Sequence, residues 1–170
     1  MNAIIQCDNL SKHFGRKTAL QQVSFTLQQG DTAALIGPNG AGKTTLFSIL
    51  CGYLRADSGS VQIFGQAAGS SALFGKVAAL PQDAQFDPAF SIGEQLDFYG
   101  RLQGLTAKAA RNETDRVLAL VELAEQRQHK AAALSHGMRN RAAIAQAFIG
   151  TPHLVLLDEP TAGLDPANAL

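Results

Sequence analysis

The residues best suited to chemistry lie in one stretch, Gly37–Thr45, which reads GPNGAGKTT. The stretch satisfies the pattern G-x-x-x-x-G-K-[ST] and is predicted to lie between a strand and a helix, which is the context this pattern requires. Gly40 and Gly42 allow consecutive backbone amides to turn inward around phosphate oxygens, and the positive end of the following helix adds to the attraction. The stretch therefore predicts a loop that binds phosphate groups.

Two side chains of this loop have expected roles of their own. Lys43 is expected to reach the β and γ phosphates of a nucleotide, and the Thr44 hydroxyl is of the type that coordinates Mg²⁺. Thr45 helps to hold the loop, and the alternative is a glycine-rich turn with a solvated lysine. The predicted binding residues of the loop are Gly37, Pro38, Asn39, Gly40, Ala41, Gly42, Lys43, Thr44 and Thr45.

Two adjacent acids form a second candidate site. Asp158 and Glu159 follow the apolar run Leu154–Leu157, and the carboxyl ends of parallel strands are where such sheets bind ligands. Asp158 is expected to hold Mg²⁺ through water, whereas Glu159, pointing the other way by strand alternation, would polarise an attacking water. The alternative is that both acids merely cap a turn.

Short apolar runs predict the strands that position these residues. Ala3–Cys7 and Val23–Leu27 are expected to form an antiparallel layer at the start of the chain. Thr32–Ile36 is expected to be a strand buried on both faces of a parallel sheet. A helix after the phosphate loop should place Leu46, Ile49, Leu50 and Tyr53 on one face. The other predicted strands are Val61–Phe64, Lys76–Leu80 and Leu154–Leu157.

The middle third of the chain predicts helices. The run SIGE from Ser91 is a capping box, and a second helix is expected to begin near Thr106. A third helix, capped by Ser135, should extend to about Ile149. Apolar residues at helical spacing are Leu96, Tyr99 and Leu102 in the first helix and Val117, Leu120, Val121 and Ala124 in the second.

Composition limits the possible classes of function. The chain has 170 residues, 46% of them hydrophobic, and a formal net charge of zero, so no broad basic field attracts nucleic acid. Its apolar runs are far shorter than the ~20 residues of a membrane helix, and its first residues carry no export signal, so a cytoplasmic location is expected. Cys7 and Cys51 are expected to be inert reduced thiols.

The runs GPNGAGKTT, LSHGM and LLDEP resemble the nucleotide-binding domain of ATP-binding cassette (ABC) transporters, and the resemblance covers essentially the whole chain. It implies a dimeric ATPase that uses ATP and Mg²⁺ and in which each subunit's signature helix closes over its partner's nucleotide. The expected fold is α/β, with a P-loop NTPase core, an N-terminal antiparallel layer and an inserted helical subdomain. Residues 1–82 and 151–170 are assigned to the core and residues 83–150 to the helical subdomain.

The resemblance extends to the family signature LSGGQ. Leu134, Ser135 and Gly137 match it, whereas His136 and Met138 depart from it, although export-type members also carry GM at its end. Ser135 and Gly137 would then contact the γ phosphate bound by the partner, while the alternative for Ser135 is a helix cap. His136 either narrows the interface, with a charge that makes closure depend on pH, or is solvated.

Three further residues take roles only through the resemblance. Gln82 matches the Q-loop glutamine, which senses Mg²⁺ or the attacking water, and otherwise is a polar turn residue. Phe14 matches the A-loop aromatic that stacks on adenine, with His13 as a rival and ordinary core packing as the alternative. Asp165 matches the D-loop aspartate at the dimer interface and otherwise is a turn acid.

We therefore expect the ATP-driven subunit of an exporter, a homo- or heterodimer with a second nucleotide-binding domain, bound to the inner membrane face through a permease. The alternatives are a soluble cassette ATPase of translation or DNA repair and a non-hydrolysing regulatory subunit. In the family a histidine after the D-loop contacts the γ phosphate, and all four histidines here precede Asp165. We expect a truncated copy that binds nucleotide and hydrolyses it poorly. The histidines are His13, His129, His136 and His153.

Overall fold

The computed structural model of the chain describes residues 3–82 and 84–160. The chain divides into two compact units, one extending to Phe74 and the other beginning at Gly75. This division differs from the predicted boundaries at residues 82/83 and 150/151, which remain a prediction. Each unit is described by itself.

The first unit contains a four-stranded antiparallel sheet. Its strands are β1 (Ala3–Phe14), β2 (Lys17–Gln28), β3 (Ser58–Ile63) and β4 (Gln66–Ala67), in the order β2-β1-β3-β4. Strands β1 and β2 form a hairpin in which Phe14 pairs with Lys17. The predicted antiparallel layer is thereby confirmed, with longer strands than the apolar runs alone indicated.

Helix α1 (Lys43–Leu50) follows the phosphate loop and packs with its apolar face inward. Leu46, Ile49 and Leu50 are buried, as predicted. The prediction for Tyr53 is wrong, because the helix ends at Leu50 and the Tyr53 side chain is 69% exposed. The chain turns away one residue after the helix, so the helical spacing no longer applies at Tyr53.

The predicted strand Thr32–Ile36 is wrong. Residues 31–38 have no regular secondary structure, and Leu35 and Ile36 are 57% and 91% exposed. A strand needs hydrogen-bonding neighbours, and neither sheet of the described ranges includes this segment. The apolar run predicted a strand, but this segment has no neighbouring strand in the described ranges with which to form hydrogen bonds.

The second unit contains a parallel pair of strands. Strands β5 (Val77–Leu80) and β6 (Leu154–Leu157) pair in register from Val77↔Leu154 to Leu80↔Leu157. Both strands were predicted, but β6 is only partly buried, with Leu157 37% exposed. The α/β class is confirmed by the combination of these sheets with the helices.

In the described part of the second unit, three helices pack around the core: α2 (Ile92–Leu102), α3 (Ala107–Leu120) and α4 (His136–Ala147). Short 3₁₀ turns lie at Ser71–Leu73 in the first unit and at Ala124–Gln126 and Ala131–Ala133 in the second. The largest side chains of this core are Leu80, Phe86, Ile92, Leu96, Val117, Leu118, Leu123, Leu134 and Ile149.

The helices of the second unit begin where the sequence predicted, two of them at predicted caps. The Ser91 hydroxyl accepts from Glu94 N while the Glu94 carboxylate accepts from Ser91 N, which completes the capping box. Thr106 accepts from Ala109 N at the start of α3. The predicted apolar faces were partly wrong, since Leu102 and Leu120 are 66% and 62% exposed, and Ala124 is exposed and lies beyond the end of α3.

Arg127 connects two of these helices. Its guanidinium lies 3.0 Å from Asp97 on α2 and 2.7 Å from Asp115 on α3, and only 21% of the Arg127 side chain is exposed. Such charge-assisted pairs are stronger than neutral hydrogen bonds.

Among the helices of residues 3–82 and 84–160, none is long and apolar enough to cross a membrane.

Candidate functional site

The phosphate loop of the first unit has the backbone geometry that anion binding requires. Gly40 and Gly42 have φ of 84° and 90°, in the left-handed region that favours glycine. Gly42 is the N-cap of α1, and within the described ranges no side chain caps this helix and no acid lies in its first turn. The amides at this helix start are therefore available to an anion.

Gly42 is required for a second reason. A Cβ atom added there would overlap the Ala19 carbonyl oxygen and would lie 2.9 Å from Leu20 Cδ2. Both contacts are on β2, and Leu20 pairs with Lys12 across the hairpin. The start of α1 thus packs directly on β2, the hairpin partner of the strand that ends at Phe14.

The Lys43 ammonium lies at the beginning of the loop. It donates to the carbonyl oxygens of Gly37 at 2.9 Å and Pro38 at 3.2 Å, so the side chain folds back across the loop. Ala41 N also donates to Pro38 O, which closes the turn before Gly42. Thr44 is exposed on the first turn of α1, where its hydroxyl is accessible to a cation.

Phe14 is the last residue of β1, and 51% of its side chain is exposed, so the alternative of ordinary core packing is not what the structure shows. The Lys12 ammonium lies 5.6 Å from the centre of the ring. The Nδ1 atom of His13, the other candidate for this role, lies 3.4 Å from a carboxylate oxygen of Asp57. The exposed ring is available for stacking.

In the second unit the acid pair and Gln82 lie together. Asp158 N donates to Leu80 O at 2.9 Å and the Asp158 side chain is buried, while Gln82 Nε2 donates to Glu159 Oε2 at 2.9 Å. Glu159 lies beyond the end of β6 with a φ of 49°, so its direction is not the strand alternation that we predicted. The position of its carboxylate is set by the hydrogen bond from Gln82, which follows the neighbouring strand β5, and not by strand alternation.

The signature residues lie at the start of α4. Ser135 is its N-cap and accepts from Met138 N at 3.2 Å, so the capping role is observed, whereas contact with a phosphate stays a prediction. His136 Nε2 lies 3.5 Å from Asn140 Nδ2, one turn along the helix. Gly137 follows within the first turn.

An open cavity of about 300 Å³ in the second unit is lined by residues of both groups, among them Gln82, Asp158, Glu159, His136 and Asn140. The sequence analysis did not identify Asn140 as a residue of this cavity. The one signal that could have identified it is its position one helical turn after His136. The sequence analysis also missed Lys12 and Asp57. Asp165 lies outside the described residues.

The donor types fit Mg²⁺. The Thr44 hydroxyl belongs to the first unit, and the Asp158 carboxylate and the Gln82 amide oxygen belong to the second; all three are the hard oxygen atoms that Mg²⁺ prefers. Within residues 3–82 and 84–160 no group of three or more His, Cys, Asp or Glu side chains is placed to hold a metal by itself. That these three meet at one cation stays a prediction.

Comparison with known proteins gives consistent results. The family model described as ABC transporter matches residues 20–162. The linearmycin resistance ATP-binding protein LnrL of Bacillus subtilis is 36% identical over 97% of this chain and 54% of its own length. The Nod factor export ATP-binding protein I of Burkholderia lata is 38% identical over 96% of this chain and 55% of its own. The chain thus spans about half the length of these curated relatives.

Solved structures show the same fold. The cbiO1 protein of Clostridium perfringens, described as part of the ABC transporter complex cbiONQ, aligns with a TM-score of 0.84 at 26% identity over 98% of this chain and 69% of that one. An ATP-binding cassette of an ABC transporter in its ADP conformation aligns with a TM-score of 0.82 at 26% identity, over 98% and 72% of the two chains.

Proposed function

Since the chain belongs to the ABC transporter family, we propose that it binds ATP with Mg²⁺ and hydrolyses it to drive a membrane transporter. The observation that carries this proposal is that Gly42 packs on β2, and β2 pairs with the strand β1 that ends at Phe14. One unit then offers amides and an ammonium group for the phosphates and an exposed ring for the base.

Phosphate binding would use the groups of the first unit. The amides at the start of α1 and the Lys43 ammonium carry the positive charge that a triphosphate needs, and Lys43 exchanges its bonds to Gly37 and Pro38 for phosphate oxygens. Thr44, Gln82 and Asp158 would hold Mg²⁺, which neutralises charge on the β and γ phosphates.

Hydrolysis would use the groups of the second unit. Glu159 accepts a hydrogen bond from the attacking water, whose oxygen forms a bond to the γ phosphorus as the bond to the bridging oxygen breaks and ADP leaves. One proton of that water passes to the phosphate that is released. Gln82, which already holds the Glu159 carboxylate at 2.9 Å, orients it towards that water. Positioning and electrostatic stabilisation supply most of the rate in this type of reaction.

We further propose a dimer with a second nucleotide-binding domain, in which Ser135, Gly137 and Asp165 face the partner's nucleotide. The helical subdomain, residues 83–150, would move against a permease at the inner membrane face as the dimer closes and reopens. Export is the proposed direction. It is supported by the relatives that are named for export and for resistance.

The test compares Glu159→Gln with Lys43→Ala in phosphate release and ATP binding. We expect Glu159→Gln to keep ATP binding and to abolish the weak phosphate release expected of this chain, and Lys43→Ala to weaken binding itself. Glu125→Gln, an exposed acid of the same unit, is the matched control and should change neither. Normal ATP affinity in Lys43→Ala would contradict the proposal.

A further inference from the structure

Asp57 holds the end of the strand that leads to Phe14. One carboxylate oxygen accepts from Lys12 Nζ at 2.7 Å and the other accepts from the backbone N of His13 at 2.7 Å. The backbone N of Asp57 in turn donates to Ser11 O at 2.9 Å. Asp57 therefore contacts the three consecutive residues that precede Phe14, and the hydrogen bond from Lys12 is the main cause that lowers the pKa of its carboxyl.

Lys12 covers one face of the Phe14 ring. Its ammonium is 5.6 Å from the ring centre, and its side chain is only 14% exposed, whereas the residue Phe14 is 51% exposed. A cation on one face of an aromatic ring is attracted by the ring's π electrons and draws electron density towards itself. The opposite face then becomes a better partner for an electron-rich π system.

The position of this ring relative to the phosphate loop suggests what would stack on it. Gly42 packs on Ala19 and Leu20, and Leu20 is the cross-strand partner of Lys12. Phe14 lies two residues beyond Lys12, about 7 Å along an extended strand. A ligand whose phosphates occupy the loop and which carries a flat, electron-rich group at its other end fits this spacing.

We propose that Lys12, held by Asp57, is a positioning residue for the purine base of the bound nucleoside triphosphate. Lys12 acts through Phe14: it fixes the ring, occupies one face and strengthens stacking on the other. The inference rests on the proposed function, since it requires that Phe14 stacks on the base.

The experiment measures, by calorimetry on the chain, binding of a non-hydrolysable ATP analogue and of inorganic tripolyphosphate at one Mg²⁺ concentration. Lys12→Met keeps the apolar stem and removes the charge. It should weaken binding of the analogue about three- to tenfold and leave tripolyphosphate within about twofold. Lys12→Arg, which keeps a cation able to lie over the ring, should restore the affinity for the analogue.

Two controls separate other causes. Arg55→Met removes an exposed cation elsewhere in the first unit and should change neither affinity. Asp57→Asn removes the carboxylate charge that holds Lys12 and should shift binding in the same direction as Lys12→Met, and it serves as the test if Lys12→Met does not fold. An equal loss for both ligands in Lys12→Met would overturn the inference, because Lys12 would then act on the phosphates or on stability.

A double-mutant cycle with Phe14→Ala separates this inference from the proposed function. If Lys12 acts through the ring, Lys12→Met has no further effect on analogue binding once Phe14 is alanine. If Phe14→Ala weakens binding of the analogue but Lys12→Met, made in the otherwise unchanged chain, does not, the inference about Lys12 is overturned and base stacking on Phe14 is kept. Unchanged binding in Phe14→Ala overturns base stacking, and with it both the role of Phe14 and the inference.

Discussion

The phosphate loop and the acid pair hold their functional groups by different means. In the loop the binding groups are mainly backbone amides, and their direction is set by glycines at φ of 84° and 90°. At the acid pair they are side chains, and Gln82 holds Glu159 while Asp158 is buried at the end of β6. The loop should therefore be sensitive to any added Cβ, whereas the acid pair should be sensitive to the loss of particular side-chain atoms.

The largest effect is expected from Gly42→Ala. The added Cβ would overlap the Ala19 carbonyl oxygen and force a non-glycine residue to adopt positive φ, which together cost about 2–4 kcal/mol. We expect that loss in urea unfolding and at least tenfold weaker ATP binding. Gly40→Ala is the matched control, because no described atom lies within 4 Å of its Cβ and only the backbone strain of about 1 kcal/mol remains. Equal effects of the two changes would contradict this account of the loop.

The second prediction concerns the side-chain contacts of the second unit. Arg127→Met removes the charge-assisted bonds to Asp97 and Asp115 and should cost about 1–3 kcal/mol of the free energy of unfolding. Arg101→Met, an exposed arginine in the last turn of α2, is the control and should change stability by no more than about 0.5 kcal/mol. If the two variants have the same urea midpoint, the Arg127 pairs do not stabilise the helices.

The third prediction separates the two roles of Ser135. Ser135→Ala removes the observed cap and should cost about 1 kcal/mol, as Thr106→Ala should at the start of α3. If Ser135 also contacts a partner's γ phosphate, its loss should weaken ATP-dependent dimer formation in light scattering, whereas Thr106→Ala should not. Equal dimer formation by the two variants would leave Ser135 with the capping role alone.

The smallest effect is a pH dependence at Glu113. The hydrogen bond from Arg116 lowers the pKa of the Glu113 carboxyl below its ordinary value of 4.5, with a further contribution from the backbone N of Gly150. Because the pKa is lower in the folded state, this contribution to stability is fully present above pH 4.5 and is lost as the pH falls through the folded value. Glu113→Gln should flatten the acid limb of unfolding free energy against pH. An unchanged slope would contradict the assignment.

Local patterns predicted local structure well. The capping box at Ser91, the cap at Ser135 and the helix start near Thr106 were each predicted from a few residues, since a helix start depends mainly on its own turn. The predicted strand Thr32–Ile36 failed because a strand depends on neighbours that its own residues do not specify. Leu120 was assigned to the wrong side of its helix for a related reason, because the packing partners of α3 decide which stripe is buried.

By itself, the sequence determined the family and predicted the phosphate loop and the acid pair, because these depend on residue types at fixed short spacings. Only the tertiary structure decided that Gln82 holds Glu159, that Gly42 packs on β2 and that Asp57 and Lys12 meet beside Phe14. Asp57 lies 45 residues from Lys12, and such a contact arises from the pairing of β1 with β3. Contacts across a sheet follow from strand pairing, which no short segment of the chain encodes.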